Sequence, residues 1–150
     1  MIEMSRYVVD ASVAVKWHLH DEDFAPYAHA VLQDFREDRL DLIAPDQMRY
    51  EVPSAIRNAV NRKRLGSEQA RMAIDQFLAW EISTVSTNDL IRAGYRQSLR
   101  FGCSLCDGLY LALAEAARIP LLYADPHLRN SLAQRFPLAQ WIKDYRSPGG

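Results

Sequence analysis

Four acidic residues are spaced along the chain so that together they could bind a divalent cation: Asp10, Glu51, Asp107 and Asp125. Asp10 follows the apolar run Tyr7-Val8-Val9, and Asp125 follows the apolar run at residues 121–124. An all-oxygen set of ligands suits Mg²⁺ or Mn²⁺. Such an ion would offset the repulsion between the carboxylates, about 4 kcal/mol for a pair roughly 4 Å apart. It could also activate water for the hydrolysis of a phosphodiester bond.

Each of these acids also has a purely structural explanation. Asp10 or Ser12 could cap the helix that follows, because both side chains accept hydrogen bonds from free backbone N–H groups. Asp107 stands three residues after Ser104, which is the spacing of a capping box. Asp125-Pro126 is a typical pair for the N-cap and first turn of a helix. All four acids are nevertheless expected at one edge of a sheet, where open α/β folds bind ligands.

The apolar periodicity predicts strands that alternate with helices. Short apolar runs predict strands at residues 7–9, 42–44, 82–85, 121–124 and 138–142. Apolar residues at intervals of three and four predict helices at residues 27–36, 47–63, 67–78, 90–99 and 104–118, and a last one through Leu128 and Leu132. This alternation predicts a mainly parallel sheet covered on both faces, which is a three-layer α/β/α domain. We assign residues 1–146 to this single domain and residues 147–150 to a tail.

Three residues are expected to set the local geometry around Glu51 and its helix. Asp46 precedes the helix and is expected to cap it. Pro53 lacks the N–H of an interior helical residue, so a kink or a later helix start is expected. Gly66 is expected to end the helix in the left-handed conformation.

Length and composition exclude several classes of protein. A chain of 150 residues can bury roughly 70% of its unfolded surface, so it needs no disulfides to fold. Two cysteines are too few for a secreted disulfide framework. A net charge of −1 excludes uniform basicity but allows a local basic stripe. With no leader peptide and no long apolar run, we expect a soluble cytoplasmic protein without a membrane segment.

Four segments carry a more specific pattern: Val9-Asp10-Ala11-Ser12 with Val15-Lys16-Trp17, Tyr50-Glu51-Val52, the run at residues 107–115, and Leu122-Tyr123-Ala124-Asp125. In this order and spacing they resemble the PIN-domain ribonucleases, in particular the VapC-type toxins of bacterial toxin–antitoxin pairs. The resemblance implies a metal-dependent endoribonuclease that cleaves single-stranded or looped RNA. It also implies a homodimer and a cognate antitoxin whose tail blocks the site. By the same resemblance, the four acids hold the metal and Ser12 supports Asp10.

The chain departs from the family pattern at three positions. Tyr123 stands where the family usually has Thr or Ser, two residues before the last acid. Cys106 stands where an aromatic residue is common, directly before the third acid. Pro53 is unexpected so soon after Glu51.

Four basic residues are expected to orient the RNA: Lys16, Arg57, Arg62 and Arg96. For any one of them, a solvated helix face or a favourable charge at a helix end is the simpler explanation. As a group they could bind phosphates of the RNA backbone. The residues do not predict which RNA is the target.

Three other functions are open on the sequence alone. Cys103 and Cys106 form a C-x-x-C motif at a helix start, as in redox proteins, although thioredoxins place it directly after a strand. A phosphoaspartyl protein also uses an acid at a strand end, although dehalogenase-type phosphatases have a second Asp where this chain has Ser12. A non-catalytic binding module could keep the PIN fold without binding a metal.

Overall fold

The computed structural model describes residues 4–148 of the chain. Five parallel strands form one sheet: β1 (Ser5–Val9), β2 (Leu40–Pro45), β3 (Ser83–Val85), β4 (Leu121–Tyr123) and β5 (Ala139–Trp141). Their order across the sheet is β3-β2-β1-β4-β5. The predicted three-layer α/β/α fold with a parallel central sheet is therefore confirmed.

Seven α-helices connect or flank these strands within residues 4–148: α1 (Ala11–Ala14), α2 (Ala25–Arg36), α3 (Met48–Asn61), α4 (Ser67–Ala79), α5 (Thr87–Phe101), α6 (Leu105–Ala117) and α7 (Pro126–Leu132). Two 3₁₀ turns follow α1 and β5, at Val15–Trp17 and Ile142–Asp144. Helix α6 packs against β1, β2, β4 and α5, and its residues 108–114 are all buried. Its almost uniformly apolar sequence predicts this burial.

The sheet order reverses between β1 and β4, and this places a crevice at their carboxyl ends. The chain leaves β1 toward β2 on one side, and β4 is added later on the other side. The backbone N–H of Asp10 donates to the carbonyl of Leu122 at 2.9 Å, which joins the ends of the two strands. Asp10 directly follows β1 and Asp125 lies two residues beyond β4, so both acids lie at the crevice.

Helix α3 runs without interruption through Pro53. The expected later start is wrong, since the helix begins at Met48 and places Glu51 in its first turn. Asp46 does not cap this helix, and its Oδ1 atom instead accepts a hydrogen bond from the N–H of Thr87 at 3.1 Å. The cap expectation failed because a backbone donor from a distant segment takes the carboxylate.

The left-handed residue after α3 is Lys63, with φ of 58°. Gly66 has φ of −74° and is the N-cap of α4, so its expected left-handed role is wrong. The chain turns earlier than expected because α3 ends at Asn61.

The C-terminal segment is anchored to the domain as far as Tyr145. Its side chain is buried, and its hydroxyl donates to Asp34 at 2.5 Å. Residues 149 and 150 of the predicted tail lie outside the described residues, as do residues 1–3 of the predicted domain. Between residues 4 and 148, no helix has the length and apolar character needed to cross a bilayer.

Candidate active site

Asp10 is the buried centre of the acidic site. It is 5% exposed and is the N-cap of α1. Its Oδ2 atom accepts hydrogen bonds from the N–H of Ser12 at 3.1 Å and from the Ser12 hydroxyl at 2.5 Å. Burial raises the pKa of Asp10 to about 7, Ser12 partly opposes this, and the charges of Asp107 and Glu51 add to it. The capping explanation and the functional one are therefore compatible, because both hydrogen bonds from Ser12 go to the same carboxylate oxygen, Oδ2.

Ser12 connects the ends of the two central strands. Its Oγ donates to Asp10 and accepts a hydrogen bond from the N–H of Ala124 at 2.9 Å. A serine hydroxyl has one donor and two acceptor positions, so it can serve both partners. The support of Asp10 by Ser12, implied by the family resemblance, is thus a hydrogen bond in this structure.

Glu51 is held by a tyrosine from another helix. The hydroxyl of Tyr110, a buried residue of α6, donates to Glu51 Oε1 at 2.8 Å. The side-chain amide of Gln47 donates to the carbonyl of Cys106 at 3.0 Å, which joins the starts of α3 and α6. Burial raises the pKa of Glu51, hydrogen bonds from Tyr110 and Gln47 oppose the rise, and the charge of Asp107 adds to it.

Asp107 and Asp125 lie at the starts of α6 and α7. The N–H of Asp107 donates to Ser104 Oγ at 3.0 Å, as the capping-box spacing predicts. Asp125 caps α7 by accepting from the N–H of His127 at 2.9 Å. Burial raises the pKa of Asp107, hydrogen bonding by Ser104 opposes this, and the charge of Asp125 raises it further.

The four acids converge closely enough to influence one another. Asp10 experiences the charges of Glu51 and Asp107, and Asp107 experiences that of Asp125. Within residues 4–148, no three His, Cys, Asp or Glu side chains are already gathered at the spacing of a metal-ligand set. Carboxylates that repel one another need a cation to draw them together. The all-oxygen donors and the raised pKa values fit a hard divalent cation.

The four predicted RNA-contacting residues do not lie together as the four acids do. Lys16 is buried and lines a cleft beside Asp125. Arg57 and Arg62 are exposed; along the axis of α3 they lie roughly 9 Å and 16 Å beyond Glu51, at about 1.5 Å per residue. Arg96 is exposed on α5.

Tyr110 is a functional candidate that the sequence analysis did not single out. It lies three residues after Asp107, and this spacing places both residues on one face of α6. This helical spacing from Asp107 is the signal in the sequence that could have identified Tyr110. Tyr123, by contrast, packs its ring edge-on against Trp141 with centroids 5.2 Å apart, so this departure from the family pattern serves the core.

The two cysteines lack the lowered thiol pKa of a redox site. Cys103 is half-buried, Cys106 is exposed, and both are free thiols. Burial, followed by the charges of nearby acids, raises the pKa of both thiols. A reactive cysteine needs the opposite shift, because the thiolate is the nucleophile. The redox alternative is therefore disfavoured.

Replacement of Tyr110 by phenylalanine tests whether this hydroxyl positions Glu51. We expect activity to fall by about tenfold to a hundredfold, the usual cost of losing an outer partner of a metal ligand. We also expect the affinity for Mn²⁺, measured by calorimetry, to fall by a similar factor. Tyr145→Phe, which removes a hydroxyl bonded to Asp34 outside the acidic site, is the control and should keep the wild-type Mn²⁺ affinity. Unchanged Mn²⁺ affinity in Tyr110→Phe would contradict the role.

The model of one known domain family, the PIN domain, matches residues 7–131 of this chain. The chain belongs to the PIN domain family. The family predicted from the sequence motifs is therefore confirmed. The match includes all four acids, so each lies within the part of the PIN domain that the family model describes.

Two curated relatives of this PIN domain come from Mycobacterium tuberculosis. Ribonuclease VapC12 is 31% identical over 124 residues, which cover 83% of this chain and 90% of that protein. Ribonuclease VapC1 is 36% identical over 85 residues, which cover 57% of this chain and 63% of that protein. The crystal structure of PAE2754 from Pyrobaculum aerophilum superposes with a TM-score of 0.65 and 19% identity, covering 93% of this chain and 85% of that one. This last likeness supports the fold alone.

Proposed function

We propose that this PIN domain, at residues 1–146, is a metal-dependent endoribonuclease and the toxin of a toxin–antitoxin pair. The observation that carries the proposal is the placement of four acids at the carboxyl-end edge of the sheet, where their charges influence one another, with Asp10 buried and its pKa raised to about 7. The names of the relatives, ribonucleases VapC12 and VapC1, agree with it. RNA is accordingly the proposed substrate.

The acids would hold one or two Mg²⁺ or Mn²⁺ ions through Asp10, Glu51, Asp107 and Asp125. A bound ion would supply Lewis acidity at the phosphate and lower the pKa of the attacking water. Ser12 keeps Asp10 oriented toward the crevice, and Tyr110 does the same for Glu51. The hydrolysis adds water across one phosphorus–oxygen bond and releases two RNA fragments.

Arg57, Arg62 and Arg96 are proposed to bind phosphates that flank the cleaved bond. Replacing all three by glutamine should weaken RNA binding whatever the sequence. The slope of log K against log salt should become shallower by about 0.7 for each lost contact with single-stranded RNA. The measurement is a salt titration of RNA binding, made in an Asp10→Asn background to prevent cleavage. Arg71→Gln, which removes an arginine paired with Glu68 and Asp75, is the control, and a slope unchanged by the triple replacement would contradict the proposal.

The proposed partners are a second copy of the chain and a cognate antitoxin whose tail blocks the acids. Helix α5 exposes Ile91, Tyr95 and Leu99 at intervals of four residues, and this apolar stripe supports a homodimer. Light scattering of the purified protein tests the dimer. RNA cleavage regulated by an antitoxin would take place in the cytoplasm, which is the proposed location.

Expression in a bacterial host is the most direct test of the toxin function. We expect growth arrest, relief of the arrest by co-expression of the neighbouring open reading frame, and new RNA ends at defined positions. An Asp10→Asn variant should cause neither arrest nor new ends. Absence of arrest and of new RNA ends with the wild type would contradict the proposal.

A non-catalytic PIN-fold module is the alternative, and metal titration distinguishes it. Binding of Mg²⁺ or Mn²⁺ to the folded state raises the melting temperature by mass action. A ribonuclease of the proposed kind should show this stabilisation, and Asp10→Asn should reduce it. A wild type that neither gains stability nor cleaves RNA would be the binding module.

A further inference from the structure

A cleft of about 390 Å³ adjoins the acids on the side of Asp125. Its wall also includes Ser12, Lys16, Asp23, Phe24 and Pro126. Ser12 is hydrogen-bonded to Asp10, so the cleft and the acidic site share a wall. Cavities of this volume are typical of sites for small organic groups.

Lys16 provides a largely buried cation at this cleft. Its side chain is 8% exposed, and the nearest carboxylate oxygen, Glu22 Oε1, lies 3.9 Å from Nζ, beyond hydrogen-bond distance. The other oxygen of Glu22 is bound to Arg64 at 3.0 Å. Among residues 4–148, no acceptor lies within hydrogen-bond distance of Nζ, so this ammonium group has donors left for a ligand. A ligand in the cleft with an acceptor group would satisfy them.

Asp23 provides two acceptors at the same cleft. It is exposed and makes no salt bridge among residues 4–148, and its charge acts on the nearby Lys16. The preceding Asp21 accepts two hydrogen bonds from Arg64, at 2.9 Å and 2.7 Å. Arg64 thus fixes the loop that presents Asp23 and leaves the Asp23 oxygens for a ligand.

Phe24 places an aromatic ring on the cleft wall by means of an unusual backbone conformation. Its φ and ψ are 64° and 16°, in the left-handed region that a bulky residue rarely adopts. The ring is edge-on to Trp141, with centroids 5.8 Å apart, and is half-buried. Aromatic rings held in this way commonly stack against the unpaired bases of single-stranded RNA.

We infer that the cleft binds a guanine base of the RNA, next to the bond that is cleaved. The inference rests on the proposed ribonuclease function. Guanine presents its N1–H and N2 amine side by side, which matches the two oxygens of Asp23, and its O6 can accept from Lys16. Adenine, cytosine and uracil have no two adjacent hydrogen-bond donor atoms of this kind on the base edge. The cleft thereby selects the cleavage position.

The test compares guanosine with inosine, which has the same O6 and N1–H but lacks the N2 amine. Mapped cleavage positions should carry guanosine beside the cut. Two synthetic RNAs that differ by this one replacement should differ in kcat/KM by about tenfold or more with Mn²⁺. In Asp23→Asn, cleavage of the guanosine RNA should fall by a similar factor, and the two RNAs should become nearly equal.

The Lys16→Met variant tests the contact with O6 separately from the contact that Asp23 makes with the N1–H and the N2 amine. The matched control is Asp41→Asn. Because guanosine and inosine share O6, Lys16→Met should slow both RNAs and leave their ratio unchanged. Asp41 is exposed on β2, outside the cleft, so Asp41→Asn should behave as the wild type. Equal cleavage of the two RNAs by the wild type would overturn the inference. So would an Asp23→Asn variant that keeps the preference but binds the antitoxin less tightly, because the cleft would then hold a protein segment.

A binding measurement keeps the inference distinct from the proposed function. If the wild type cleaves no RNA, the ribonuclease proposal fails. The cleft is then tested by titrating the protein with guanosine 5′-monophosphate and inosine 5′-monophosphate. Tighter binding of the guanosine nucleotide, lost in Asp23→Asn, would support the base site without any activity, and equal binding of both nucleotides would overturn it.

Discussion

Replacing Asp10 by asparagine is expected to abolish metal-dependent RNA cleavage, with a loss well above a hundredfold. Even outer partners of a metal ligand are worth about 10- to 100-fold, and Asp10 would be a ligand itself. Asparagine keeps an oxygen that can accept from both the N–H and the hydroxyl of Ser12, so the local hydrogen bonds survive. Cleavage of a labelled RNA with Mn²⁺ measures the effect, and retained cleavage would disprove the assignment of Asp10.

The same variant is expected to stabilise the metal-free fold at neutral and higher pH. Burial raises the pKa of Asp10 from 3.8 to about 7, so the folded state holds this proton more tightly than the unfolded state does. The free energy of unfolding of the wild type should therefore fall as the pH rises from about 4 to about 7, by up to about 4 kcal/mol from this group. Glu51 and Asp107 shift in the same direction and remain in the variant.

Urea unfolding at about pH 5, 6, 7 and 8 with a chelator present measures this pH dependence, because this range spans the pKa of Asp10 in the folded state. The gain in stability of Asp10→Asn over the wild type should grow with pH and level off above about pH 7. Asp41→Asn removes an exposed carboxylate and should show no such trend. A variant that is less stable than the wild type at pH 8 would mean that the Asp10 carboxylate is not destabilising.

Of the variants proposed for this protein, Gly108→Ala is expected to cause the largest loss of stability. A Cβ atom at this position of α6 would lie 2.2 Å from the carbonyl oxygen of Gly94 on α5 and 3.2 Å from the backbone nitrogen of Ser98. The clash is with backbone, so a rotamer change cannot relieve it. Forced repacking of this kind costs about 3 kcal/mol. Since Asp107 precedes Gly108, Mn²⁺ affinity should fall as well.

Thermal or urea unfolding measures the effect of Gly108→Ala, and Gly66→Ala is the matched control. The nearest atom to a Cβ at Gly66 is Gln69 Oε1 at 3.4 Å, at the end of a flexible side chain. Gly66 has an ordinary φ, so its replacement should cost no more than about 1 kcal/mol. Similar losses in the two variants would show that the close approach of α5 and α6 is not required.

Much of the fold could be predicted because its segments have strong local patterns. The apolar positions of residues 104–118 recur so regularly that they predict a buried helix, and the structure has α6 at Leu105–Ala117. Asp125-Pro126 predicts the start of α7 because capping depends on neighbouring residues alone. Asp46 and Gly66 were predicted wrongly because their roles depend on Thr87 and on the earlier end of α3, which lie outside any local pattern.

The sequence by itself determined the element types, the family motifs and the four acids, since each depends on a short stretch of chain. The tertiary structure decided which groups hold those acids, because the partners come from distant segments. Tyr110 reaches Glu51 across 59 positions, and the Ala124 N–H reaches Ser12 across 112. It also decided that the Lys16 side chain is buried while Arg57 and Arg62 are exposed. Burial depends on what packs against a residue, and residue types along the chain do not record that.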